Sequence, residues 1–121
     1  MDKTFLLAGA IAAFLGVAFG AFGAHGLRTR ISPDMLAVFE TGVRYQMYHA
    51  LALLVTGLIL ARMDGWLIHL AGWAFVVGIV LFSGSLYALA LTGTSMFGAI
   101  TPIGGVAFLL GWACLIVAGL Q

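Results

Sequence analysis

The stretch WLIHLAGWAFVVGIVLFSGSLYALAL (Trp66–Leu91) decides how the rest of the chain is read. It contains no Asp, Glu, Lys or Arg. A hydrocarbon core needs about 20 mostly apolar residues per helical span, and this run is long enough to cross one. Lipid offers no water to the backbone, so each amide must be paired inside its own segment, which a helix achieves. Three further apolar stretches surround it, roughly Thr4–Ala24, Tyr45–Ala61 and Pro102–Leu120. The expected architecture is all-α: a polytopic membrane protein with four transmembrane helices in an antiparallel bundle. It forms one domain over residues 1–121, with spans near 4–25, 45–62, 66–91 and 101–120.

Composition agrees. The chain is 64% hydrophobic and 7% charged, against about 25% charged in a soluble domain. It cannot cover a water-facing surface. A net charge of +1 gives no basic field for nucleic acid. The single cysteine, Cys114, lies in the fourth stretch, so no internal disulfide or metal-type cysteine spacing exists. A free buried Cys behaves as a small hydrophobe. The first stretch is longer than the 7–15 apolar residues of a secretory signal core, and is expected to be retained as a span.

The first connection is polar and holds Arg28, Arg30, Asp34, Glu40 and Arg44. Ser32-Pro33 has the form of a helix N-cap followed by a first helical residue. Leu36, Phe39 and Val43 recur on one face, which predicts a short amphipathic helix over about 33–43 on the membrane surface. Gly42 offers a bend into the second span; the alternative is one continuous helix from Pro33 to Ala61. Glu40 and Arg44, four apart, are placed to pair. Asp64-Gly65 is a turn dipeptide. Thr101-Pro102 repeats the cap-then-proline start signal, the alternative being a helix that begins near Ser95. Trp66 and Trp112 are candidates for the interfacial belts, and Trp73 reads as core. Lys and Arg are balanced between the two faces; the clustered arginines of the first loop tip the reading toward a cytoplasmic first loop.

Small residues recur along each span. Ala12, Gly16 and Gly20, within a run from Ala8 to Ala24, mark the first; Gly78 the third; Gly104 and Gly111 the fourth. In lipid, close backbone approach through small residues draws helices together, so these positions are expected to pack helices and not to react.

Four alternating spans bring the first and third loops to one face. His25, Arg44, Gln46, His49, Ser83, Ser85, Tyr87 and Thr101 are thereby expected to share a rim, and the opposite rim shows no comparable set. Gln46, His49 and Thr56 fall on one stripe at 3.6 residues per turn and should point inward, since polar groups facing lipid are costly. For Thr56, Ser83 and Ser85 the plain expectation is structural: such groups tie helices together, and hydroxyls readily bond their own helix backbone. Arg44, beside Tyr45 and Tyr48, reads as an interface anchor. His25 and His49 raise the question of axial ligation of a haem iron. A catalytic zinc needs three protein ligands, and His69 lies at the other end. Neither a metal nor a cofactor is expected. Ser83 and Ser85 lack the G-x-S-x-G context of a hydrolase nucleophile.

Four runs together carry a resemblance: GAFGAHGL (Gly20–Leu27), YQMYHALALL (Tyr45–Leu54), LFSGSLYALALTG (Leu81–Gly93) and ITPIGG (Ile100–Gly105). The chain resembles the family of small inner-membrane proteins called domain of unknown function 423, related to eukaryotic transmembrane protein 256. The resemblance implies a multi-pass protein with four spans in a bacterial inner (plasma) membrane. It supplies no reaction, substrate or catalytic residue.

Three functions remain in view. The favoured one is a structural or accessory component, not an enzyme, that packs with membrane lipids and with a larger membrane complex or a homo-oligomer. The second is a small proton, ion or lipid-like solute carrier or channel using the polar stripe near His49. The third is a membrane-surface enzyme or haem-binding protein using His25 or His49.

Overall fold

A computed structural model describes residues 2–121 and is helical throughout its ordered elements. Helix α1 runs Thr4–His25, α2 Pro33–Arg62, α3 Trp66–Thr92 and α4 Met96–Leu120. All four are long and apolar enough to span a membrane. Local chemistry sets their ends. The Thr4 backbone N–H donates to Asp2 Oδ1 (2.9 Å) at the start of α1. Ser32 caps α2, its Oγ accepting from the Met35 N–H at 3.2 Å, with Pro33 at the first position, where the missing N–H costs nothing. Gly93 closes α3 in the left-handed region (φ 70°), its N–H donating to the Leu89 carbonyl at 2.8 Å.

At two boundaries the structure takes the alternative reading, and within α3 it holds a turn that the sequence did not suggest. The amphipathic segment over 33–43 is not a separate surface helix: α2 continues through it without a break. Its apolar face covers protein, because Phe39 is 2% exposed and packs with Leu27 and Ala90. Gly42 admits a neighbour and does not bend the helix; a Cβ there would meet the Tyr87 ring at 2.8 Å. The last helix starts at Met96, with Pro102 inside it, so Thr101 is not its cap. The Thr101 hydroxyl donates to the Phe97 carbonyl instead, at 3.3 Å. Finally, α3 carries a π-helical segment over Ile79–Ser83, a widened turn that periodicity did not foresee. The Gly84 N–H bonds the Ile79 carbonyl, the i→i−5 pattern of a π turn.

Packing follows chain order. Helix α1 lies on α2, α2 on both halves of α3, and α3 on α4. The expected small residues make these seams. Gly16 of α1 faces Met47 and Gln46, and Gly20 faces Val43. In α3, Gly78 receives the Phe108 ring, and Gly111 of α4 receives the Phe75 ring. At Gly104 the backbone of α4 lies directly on that of the π segment, at Phe82 and Leu81. Ala12 is buried, as expected, whereas Ala24 is exposed. The α1 seam runs Phe5, Gly9, Ala12, Gly16 and Gly23, with the half-buried Gly20 between the last two, the three-four spacing of a helix with 3.6 residues per turn.

Candidate functional site: a polar ladder inside the bundle

The buried polar side chains are Gln46, His49, Thr56, Ser83 and Ser85. Four of the five join helices. Gln46 donates through Nε2 to the Ala12 carbonyl of α1 at 2.8 Å and accepts at Oε1 from the Tyr87 hydroxyl of α3 at 2.5 Å. One amide thus ties three helices. Ser83 donates to the Gly42 carbonyl of α2 at 2.6 Å. The Ser85 and Thr101 hydroxyls stand 2.6 Å apart across α3 and α4, and Ser85 Oγ also lies 2.9 Å from the Phe82 carbonyl. Thr56 bonds its own helix at the Ala52 carbonyl (2.7 Å), the behaviour expected of it.

His49 is held on all sides. Its Nδ1 lies 2.7 Å from the Tyr45 carbonyl, and Trp112 Nε1 donates to its Nε2 at 3.1 Å. A carbonyl only accepts and an indole N–H only donates. The ring is therefore the neutral tautomer with its proton on Nδ1. It stacks on Phe108, with centroids 3.6 Å apart at 7°, and tilts against Phe75.

The structure moves the expected rim. Gln46, His49, Ser83, Ser85, Tyr87 and Thr101 do gather, but as a ladder reaching the middle of the bundle. Since α2 begins at Pro33, Gln46 lies about 20 Å along it at 1.5 Å per residue. Its partner Ala12 sits near the centre of α1. His25 and Arg44 do not join; both are exposed. Gly23 packs on Phe39, which sets His25 near that level and His49 about 15 Å deeper along α2. The two imidazoles cannot share an axial pair of ligands. Glu40 and Arg44 form no ion pair; among the described residues the one pair within range is His69 Nε2 with Asp64 Oδ1 at 3.1 Å.

Sequence reasoning missed Trp112 as a partner, having read it as a belt residue. It missed the Ala12 and Gly42 carbonyls too, because backbone acceptors carry no sequence signal. Trp73, read as core, is 52% exposed and lies edge-on to Phe5. The opposite end also holds more than expected: Asp2, Asp64 and His69 line a recess of about 350 Å³. Among the described residues no group of three or more His, Cys, Asp or Glu side chains is placed to hold a metal. An apolar recess of about 310 Å³ lies between α1 and α3, with Gln46 in its wall beside Ile11, Leu15 and Val80.

Comparison with known proteins places this arrangement. The family model described as "Protein of unknown function (DUF423)" matches residues 19–105. UPF0382 membrane protein YwdK of Bacillus subtilis (strain 168) is 50% identical over 120 residues, covering 98% of each chain. The chain belongs to the DUF423 family. Another relative, a UPF0382 membrane protein of Staphylococcus epidermidis, is 50% identical over 119 residues, covering 98% of this chain and 97% of its own. A third, from Staphylococcus haemolyticus, is 47% identical over 116 residues, covering 96% and 94%. No solved structure matches. These DUF423 relatives are named membrane proteins, in accord with four apolar spans and a multi-pass protein. The DUF423 match holds Gln46, His49, Ser83, Ser85, Tyr87 and Thr101. Two of their partners, Ala12 and Trp112, fall outside that match and inside the length shared with the relatives.

Proposed function

We propose that this member of the DUF423 family is a structural or accessory membrane component, whose interior polar groups fasten the bundle and do not carry a solute. The observation behind this reading is how those groups are used. Gln46, Ser83 and His49 each spend their hydrogen bonds on a carbonyl or a side chain of the bundle. Among the described residues, no buried side-chain nitrogen or oxygen lacks a partner. A carrier needs polar groups free to exchange partners with a solute. Such bonds inside membranes contribute about 0.6 kcal/mol each on average, the scale of fasteners that must add up.

The test uses Gln46→Leu and His49→Phe in purified protein. Both are expected to lower the thermal midpoint in mild detergent. Liposomes holding the unaltered protein are expected to show proton and cation leakage equal to empty liposomes. Leakage above that level, abolished by His49→Phe, would overturn the reading in favour of a carrier.

A further inference from the structure

Helix α2 turns one stripe away from the bundle. Ala37, Glu40, Arg44, Tyr48, Leu51, Val55 and Leu58 are all exposed, and at 100° per residue they fall within one narrow face. The lower part is ordinary lipid-facing surface, with Leu51, Val55 and Leu58 each at least half exposed. The upper part is not. Val43, the neighbour of Arg44, packs over Gly20 of α1, so Arg44 lies about 8 Å inward of His25 along α1. An arginine at that depth facing lipid is costly, and such residues turn toward partners. Glu40, one turn above on the same face, is not engaged with it.

We propose that this stripe docks a second copy of the chain, related by a two-fold axis along the membrane normal. Glu40 of each copy then meets Arg44 of the other. The proposal rests on the accessory-component reading and names the partner. Charge chooses the occupant. An anionic lipid would satisfy the guanidinium but set a phosphate beside the Glu40 carboxylate. A second α2 running in the same direction supplies both opposite charges at once. The four-residue offset is about 6 Å. Helical side chains lean toward the helix N-terminus, so Arg44 leans toward the Glu40 level of a parallel neighbour. A symmetric pair repeats the contact on both sides of the axis. Below Arg44, the residues Tyr48, Leu51, Val55 and Leu58 continue at the alternating four- and three-residue spacing of a left-handed helix pair.

The experiment is oxidative crosslinking in native membranes. Cys114→Ala removes the native thiol, and Tyr48→Cys or, as control, Phe14→Cys on the outer face of α1 supplies one. A disulfide needs Cα atoms within about 7 Å, so only a close helix pair reacts. The expected result is a band of twice the chain mass for Tyr48→Cys and none for Phe14→Cys. Adding Glu40→Arg or Arg44→Glu is expected to remove most of that band, and both reversals together to restore it. The proposal is overturned if Tyr48→Cys stays monomeric while the folded protein is present. It is also overturned if the double reversal fails to recover what each single one loses. A Tyr48→Cys crosslink to a different polypeptide would overturn it too, while leaving the accessory reading intact.

Discussion

Gly104→Ala is the sharpest probe of how α3 and α4 meet. An alanine Cβ at this site would stand 2.7 Å from Phe82 Cα and 2.8 Å from the Leu81 carbonyl carbon. Both are backbone atoms of the π segment and cannot swing aside as a side chain can. Phe82 N lies closer still, so restoring ordinary contact at 3.4 Å requires the two helices to part locally by more than about 0.7 Å, and close-packed interiors do not absorb such shifts freely. Overpacking of this kind costs about 1–3 kcal/mol. The substitution also gains up to about 1 kcal/mol of helix propensity, so the net change alone would be ambiguous. Gly84→Ala removes the ambiguity: it lies in α3 with nothing within 4 Å of an added Cβ and takes the same propensity gain. The difference between the two variants is then expected to be about 1–3 kcal/mol. Unfolding by graded denaturing detergent, followed by circular dichroism, measures it. Equal stability of Gly104→Ala and Gly84→Ala would refute the backbone-on-backbone seam.

Three further outcomes are expected. Gln46→Leu and Tyr87→Phe, singly and combined, should show a coupling energy near 0.6 kcal/mol and no more than about 1.7 in the same unfolding assay; additive losses would mean the bond at 2.5 Å contributes nothing. Nitrogen NMR of ring-labelled protein should find His49 protonated on Nδ1, and Trp112→Phe should shift the Nε2 signal while leaving Nδ1 protonated; a dominant Nε2–H form would contradict the Trp112 bond. Hydrogen bonds from Thr4, the side chain first and then the backbone, hold the Asp2 carboxyl below its ordinary value of 3.8. A depressed carboxyl stabilises the folded form above its unfolded pKa and loses that contribution as pH falls through the folded one. Protection of the amides at the start of α1, corrected for their intrinsic exchange rate, should therefore fall in acid below about pH 4, and Asp2→Asn should abolish that fall.

The interior ladder was legible in part. Gln46, His49 and Thr56 read as one inward stripe because a polar residue in an apolar span has few affordable directions, and lipid is the worst of them. Ser83 was legible as a structural hydroxyl, but not its partner: it ties α3 to the Gly42 carbonyl of α2 and does not bond its own helix. The reason lies in the seam: without a Cβ at residue 42 the two helices come close enough for a short hydroxyl to cross. Arg44 and His25 were grouped with the ladder because loop topology sets only which end a residue is near, not which way it faces.

Sequence alone determined the solvent and the element type. Four apolar runs of sufficient length, with each backbone amide obliged to pair within its own segment, leave four membrane-spanning helices as the outcome. Capping at Ser32 and the connection at Asp64-Gly65 are equally local and equally readable. Tertiary structure decided the rest. Whether residues 33–43 lie on the membrane or continue α2 depended on Leu27, Phe39 and Ala90 covering one another. The tautomer of His49 depended on an indole from α4. Interactions within a helix are fixed by spacing of a few residues, whereas the ladder joins positions such as Ala12 and Gln46 or His49 and Trp112, whose meeting is set only when whole helices choose their neighbours.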